Sequence, residues 1–206
     1  MLRAVKTAIW LAALSPLAYL IYAGLNQQLG PDPGKAVVDQ LGLWTLRLLL
    51  ITLALHPLRD LSGKAVFLQV RRLCGLFSWF YACLHLLGAS FYVIGWSWQE
   101  LLIAFDERAY ITLGILAWAL LLPLAVTSNR WSQRRLGRRW RQLHRLIYPA
   151  ILLGCLHFIW LVRSDYWQPA LYAAIFTLLM ACRIPGVNRR LPALRANLGA
   201  QARAGS

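Results

Sequence analysis

Four histidines, His56, His85, His144 and His157, are the residues best able to carry chemistry here, and all four fall in or at the edge of long apolar stretches. The segment LHRLIYPAILLGCLH (143–157) places two of them thirteen residues apart in a run suited to lipid, directly after an arginine-dense stretch. Ionisable groups at membrane depth are costly and usually face the interior of a helix bundle. Taken singly, each imidazole reads equally as a helix-to-helix hydrogen bond. Their depths say more. His85 lies twelve residues, roughly 18 Å at 1.5 Å per residue, beyond the cytoplasmic start of one apolar span. His157 lies thirteen residues, roughly 20 Å, beyond His144 on another. Both spans run outward, so the two imidazoles reach a similar depth in the outer half of the bilayer. Two neutral imidazoles facing each other suit the axial positions of a b-type haem. Gly88 follows His85 by three residues and Gly154 precedes His157 by three, so each shares a helix face with its histidine. Bare backbone there would let a flat macrocycle lie close, although ordinary small-residue helix packing also favours glycine.

The cytoplasmic side offers a second, more open set. A spacing of thirteen leaves His144 and His157 roughly 140° apart around a straight helix, though Pro149 between them can kink the turn. Fourteen residues before His85 stands Arg71 rather than a histidine. His56 matches His144 in depth. It either completes a second haem or is a helix-end residue before Pro57. Arg47, in LWTLRLLL (43–50), is the one basic residue read inside a span. It either snorkels to the interface or sets its guanidinium fork on a haem propionate. The four cysteines lie in or at the ends of spans without a CxxC or CxxCH pattern and read as small buried hydrophobes.

The elements that must position these residues follow from composition. The 206 residues are 59% hydrophobic and only 14% charged, against about 45–50% apolar for a soluble domain. A transmembrane helix needs about 20 apolar residues, and six candidates are read at roughly 9–25, 43–58, 73–94, 110–127, 146–162 and 167–183. The expectation is an all-α membrane protein, a bundle of six transmembrane helices forming one domain over 1–206. The first stretch is expected to be a retained helix rather than a signal peptide, because no small-residue cleavage site follows it. A short basic tail is expected over 185–206, and no internal repeat or soluble domain is read. Basic residues concentrate in alternate links, above all seven arginines from Arg130 to Arg145, while six of the seven acids fall in the opposite set. Positive charge marks the cytoplasmic side, so both termini are placed there. The net charge of +15 is thus a topology signal that also attracts anionic lipid. No nucleic-acid partner is expected, because the charge is divided among short loops at one face.

Four stretches carry a family resemblance: GPDPGK (30–35), RRLCGLFSWFYACLH (71–85), LAVTSNRWSQRRLGRRWRQLHRLIY (124–148) and LHFIW (156–160). With them the chain resembles the MsrQ family, haem-binding membrane subunits of the bacterial MsrPQ protein-methionine-sulfoxide reductase system, within the ferric-reductase-like transmembrane superfamily. The resemblance implies that His85, His144 and His157 are tied to haem b, one or two per chain. It departs from the wider superfamily at Arg71 and Arg72, where another histidine would be expected. It also implies FMN, a multi-pass place in the bacterial inner membrane, and a heterodimer with the periplasmic molybdenum-cofactor reductase MsrP. Electrons would come from the quinone pool or a cytosolic flavin reductase, which agrees with the lack of a GxGxxG motif. Two other readings are a self-contained transmembrane ferric or quinone reductase and a histidine-relay transporter. The transporter reading lacks an intramembrane acid to pair with.

Overall fold

The structure, a computed structural model, describes residues 2–184 and Val187. The tail expected over 185–206 therefore lies, Val187 apart, outside the described residues. Among the described residues all regular structure is helical. In chain order it comprises α1 (Leu2–Leu25), α2 (Pro33–Ser62), α3 (Val66–Tyr92), α4 (Trp98–Glu107), α5 (Ala109–Val126), α6 (Arg130–Leu136), α7 (Arg138–Leu143), a 3-10 turn (His144–Leu146), α8 (Ile147–Leu161) and α9 (Trp167–Ala181).

Capping chemistry moves several boundaries away from the apolar runs. The Asp32 side chain accepts the Lys35 N–H and Pro33 occupies the first helical position, a pairing that starts a helix without leaving its first donors bare. The link GPDPGK is therefore the beginning of α2, ten residues before the apolar run at 43. At the far end Gly63, at φ 70°, closes α2 with its N–H on the Arg59 carbonyl, a left-handed position natural to glycine. Because α3 begins at Val66, Arg71 and Arg72 stand inside it rather than ahead of it. In the link expected between the third and fourth spans, Ser97 caps the short helix α4 by accepting the Glu100 N–H. The arginine run is helical too: Asn129 caps α6 through the Ser132 N–H, and Gly137, at φ 51°, turns the chain into α7.

Five helices are long and apolar enough to cross a bilayer, the fifth running continuously from Arg138 to Leu161. The sixth expected span, α9, is apolar but has only 15 residues. At 1.5 Å per residue it extends roughly 22 Å, short of the roughly 30 Å hydrocarbon core. The most extensive pairings are α2 on α3 and α5 on α8. Between these two pairs lies the main core, where Leu53, Ala150 and Ile151 are almost completely enclosed. A second core joins α1 to this body, centred on Tyr81, whose hydroxyl donates to the Ala13 carbonyl at 2.6 Å.

Prolines inside α1 and α2 each release a carbonyl that a proline nitrogen cannot serve. A free carbonyl in hydrocarbon is costly, and both find donors. Ser15 Oγ donates at 3.0 Å to the Ala12 carbonyl released by Pro16. Arg183 Nη2 donates at 2.8 Å to the Leu53 carbonyl released by Pro57, while its Nη1 donates at 3.2 Å to the Tyr148 hydroxyl. Arg183 thereby ties the end of α9 to α2 and α8. Arg183→Met should cost about 1–3 kcal/mol, the penalty of an unpaired buried acceptor. In a Pro57→Ala background, where the restored amide serves Leu53, that cost should shrink. Thermal unfolding of the four proteins in detergent measures the coupling.

Candidate functional site

His85 on α3 and His157 on α8 are brought ring to ring, with centroids 6.1 Å apart and planes at 84°. Each ring is anchored through Nδ1 to a carbonyl of the helix against which its own helix packs. His85 Nδ1 lies 2.9 Å from the Val38 carbonyl on α2, and His157 Nδ1 lies 2.6 Å from the Tyr110 carbonyl on α5. A carbonyl only accepts, so each Nδ1 must carry the hydrogen and each Nε2 keeps its lone pair. One helical turn beyond each carbonyl is a glycine that touches the same ring. A Cβ on Gly42 would stand 2.9 Å from Cε1 and 3.0 Å from Nδ1 of His85; one on Gly114 would stand 2.9 Å from Nδ1 and 3.0 Å from Cε1 of His157.

These two half-sites are copies. Histidine and carbonyl are 47 residues apart in both, and an offset of 72 residues carries Gly42 onto Gly114 and His85 onto His157. The chain therefore does hold an internal repeat, of the α2–α3 and α5–α8 pairs. A sequence signal existed: LG at 41–42 recurs at 113–114 and CLH at 83–85 recurs at 155–157, both at the same offset. It is easily passed over, because the apolar residues between these marks do not match. The glycines singled out from spacing stand elsewhere. A Cβ on Gly88 would meet Val38 Cγ2 at 3.3 Å, and one on Gly154 would meet Leu46 Cδ1 at 3.9 Å, so both pack against α2.

The residues expected on the cytoplasmic side are engaged separately. Thr127 Oγ1 donates to the Pro123 carbonyl at 2.6 Å and lies 3.0 Å from His144 Nε2. With its only hydrogen on Pro123, the hydroxyl must accept from His144, which puts a proton on that Nε2. Trp140 stacks on the same imidazole with centroids 4.0 Å apart. As placed, His144 presents no Nε2 lone pair. His56 Nδ1 lies 3.0 Å from the carboxylate of Asp60, one turn on. Arg71 is half-buried and Arg72 is exposed.

Arg47 also sits differently from its expected position near the outer end of a span. Since α2 begins at Pro33, Arg47 is fourteen residues in, near the middle of a 30-residue helix. Its Nε donates to the Tyr172 hydroxyl on α9 at 2.8 Å and its guanidinium lies 4.9 Å from the centre of the Trp44 ring. Its Nε is thus committed to a partner within the bundle.

Among the described residues no three His, Cys, Asp or Glu side chains gather into a metal-binding cluster. A tetrapyrrole needs no such cluster, since its macrocycle supplies the in-plane nitrogens and the protein only the axial pair. With metal–imidazole bonds of about 2.0–2.1 Å, the values for zinc, two rings sharing one ion have centroids roughly 6 Å apart. The His85–His157 separation has that size.

The chain matches the family described as ferric reductase like transmembrane component over residues 41–155, a stretch that includes both half-sites except Val38 and His157. It is 46% identical over 187 residues to the protein-methionine-sulfoxide reductase heme-binding subunit MsrQ of Xanthomonas euvesicatoria pv. vesicatoria (strain 85-10), covering 88% of this chain and 86% of that protein. It is 47% identical, with the same coverage, to the subunit of the same name from Xanthomonas campestris pv. campestris (strain B100). No solved structure matches. The family match and the five long apolar helices make this a multi-pass membrane protein.

Removing the Tyr172 hydroxyl with Tyr172→Phe would strand Arg47 Nε inside the bundle. The expected cost is about 1–3 kcal/mol, read as a lower unfolding midpoint, whereas Tyr166→Phe at an exposed position should be neutral.

Proposed function

The chain belongs to the MsrQ family, and from that membership we propose that it is a haem b electron-transfer subunit whose axial ligands are His85 and His157. The observation that carries the reading is the facing pair of imidazoles, each with its Nδ1 hydrogen committed to a helix carbonyl. Such a bond fixes the tautomer and raises the basicity of the ligating nitrogen. Both imidazoles are half-buried, on helices apolar enough to cross a membrane. One further observation fits a bound group: Trp118 Nε1, one turn beyond Gly114 on α5, is enclosed with no acceptor among the described residues, and a propionate would supply one. Arg47 has N–H donors beyond the one on Tyr172 and suits the same kind of carboxylate.

When bound, haem supplies a one-electron carrier. The chain's residues bind it, fix its orientation and keep its surroundings dry. A second haem would draw on His144, His56, Arg71 and Arg72, and would require His144 to release Thr127. FMN enters on resemblance alone, and we assign it no residue and no step.

The names of the relatives, heme-binding subunits of a protein-methionine-sulfoxide reductase, support the partner. The chain passes electrons across the bacterial inner membrane to the periplasmic molybdenum-cofactor subunit MsrP, with which it forms a heterodimer. The donor is the quinone pool or a cytosolic flavin reductase. It does so as one domain of six spans over 1–206, with both termini cytoplasmic. The concentration of arginines in one set of links supports that orientation.

The purified protein should show a reduced-minus-oxidised spectrum of low-spin haem b, and His85→Ala or His157→Ala should abolish that signal. Full haem content and an unchanged spectrum in either mutant would remove the pairing. For topology, a cysteine is best placed at exposed Gln133 on α6, because neighbouring Ser132 is buried. In intact spheroplasts Gln133→Cys should resist an impermeant thiol reagent; ready labelling reverses the orientation.

A further inference from the structure

Two glycines that no sequence argument singled out lie directly against the proposed ligand rings. Within α2 the Val38 carbonyl is the acceptor one turn back from the Gly42 N–H, and within α5 the Tyr110 carbonyl stands in the same relation to Gly114. A carbonyl has two lone pairs, so each can serve its helix and also take the imidazole Nδ1–H. The ring reaches that carbonyl only by lying along the helix where the glycine has no side chain. With any Cβ present, a carbon would sit 2.9–3.0 Å from ring atoms, closer than real Cβ contacts come, so the ring would have to rotate or retreat.

We propose that Gly42 and Gly114 are the positioning residues of this site: they admit each imidazole onto a helix carbonyl and hold the two rings near a right angle. The inference rests on the axial-ligand reading of His85 and His157. Each ring is fixed by a helix of its own pair, so their 84° relation is set by how the α2–α3 and α5–α8 pairs meet. Adding a methyl group at either glycine would lengthen or break an Nδ1–H···O bond of 2.9 or 2.6 Å. The affected imidazole would then donate less strongly to iron. The oxidised form would lose more than the reduced form, and the midpoint potential would rise.

The same chain supplies the controls. A Cβ on Gly75 would stand 3.7 Å from Thr52 Cγ2, and one on Gly154 would stand 3.9 Å from Leu46 Cδ1, both ordinary contacts. The experiment compares Gly42→Ala and Gly114→Ala with Gly75→Ala and Gly154→Ala in the full-length haem-loaded protein. It reads haem per chain, redox potential and the ferric low-spin electron paramagnetic resonance spectrum. The expected result for the first two is a loss of haem affinity of about 10- to 100-fold, as for other supports of metal ligands. In the haem that remains, the potential should be raised and the largest g value shifted. The two controls should match the parent. If the glycines serve helix packing only, yield and melting temperature fall while the potential and g values of the retained haem stay unchanged, and that outcome overturns the proposal.

A measurement on the parent protein guards against variants that fail to fold. Ligand planes at right angles leave the iron orbitals that interact with them nearly degenerate, which gives a highly anisotropic low-spin signal. The resonance that disappears in His85→Ala should have that form. An ordinary rhombic signal there would overturn the positioning role while leaving the haem assignment intact. A parent protein with no low-spin haem would overturn both.

Discussion

An imidazole N–H resting on a helix carbonyl is the contact from which the rest of the site follows. In water such a bond would be one of many exchangeable choices. Inside an apolar bundle there is no competing solvent, so the donor stays where its only acceptor is. The acceptor decides the tautomer, the tautomer decides which nitrogen remains available, and the glycine beyond the carbonyl decides whether the ring can get there at all. Helix length enters as well. Val38 belongs to α2 only because Asp32 and Pro33 start that helix ten residues ahead of its apolar run. Without that early start, no helix carbonyl would stand beside His85.

The same rule governs the polar atoms away from the site. Ser15 and Arg183 serve the carbonyls released by Pro16 and Pro57, Tyr81 reaches the Ala13 carbonyl, and Thr127 bonds back to the Pro123 carbonyl one turn earlier. Arg47 and Tyr172 satisfy each other across α2 and α9. These are cross-ties that apolar packing alone would not specify.

Much of the architecture was legible because hydropathy and charge are averages over many residues. The helical class and five long apolar elements follow from such averages, and the family resemblance proved to be membership. The pairing of His85 with His157 came from counting residues along two helices, a geometry that survives errors of a turn at the ends. What escaped depended on single atoms. Gly42 and Gly114 look like any small residues until a ring is placed against them, while Gly88 and Gly154 had the attractive spacing and face α2 instead. Polar caps hid the true starts of α2, α4 and α6, because Asp32, Ser97 and Asn129 act through one hydrogen bond each. Arg47 stands in mid-helix rather than near a helix end for the same reason, since α2 starts from the Asp32 cap and not from the apolar edge.

The repeat of the two helix pairs has a thermodynamic meaning of its own. Each pair packs extensively within itself and less extensively against the other, and each contributes one of the two proposed ligands. A prosthetic group held by both would act as a staple between two units that are each incomplete. Anything that binds the assembled form and not its separated parts stabilises the assembly by mass action, by about 4.1 kcal/mol when free ligand is 1,000 times its dissociation constant. On the proposed ligation, loading with haem would be a late step of folding as much as a step of maturation, and chains short of it would be held together mainly by the apolar seam between the pairs.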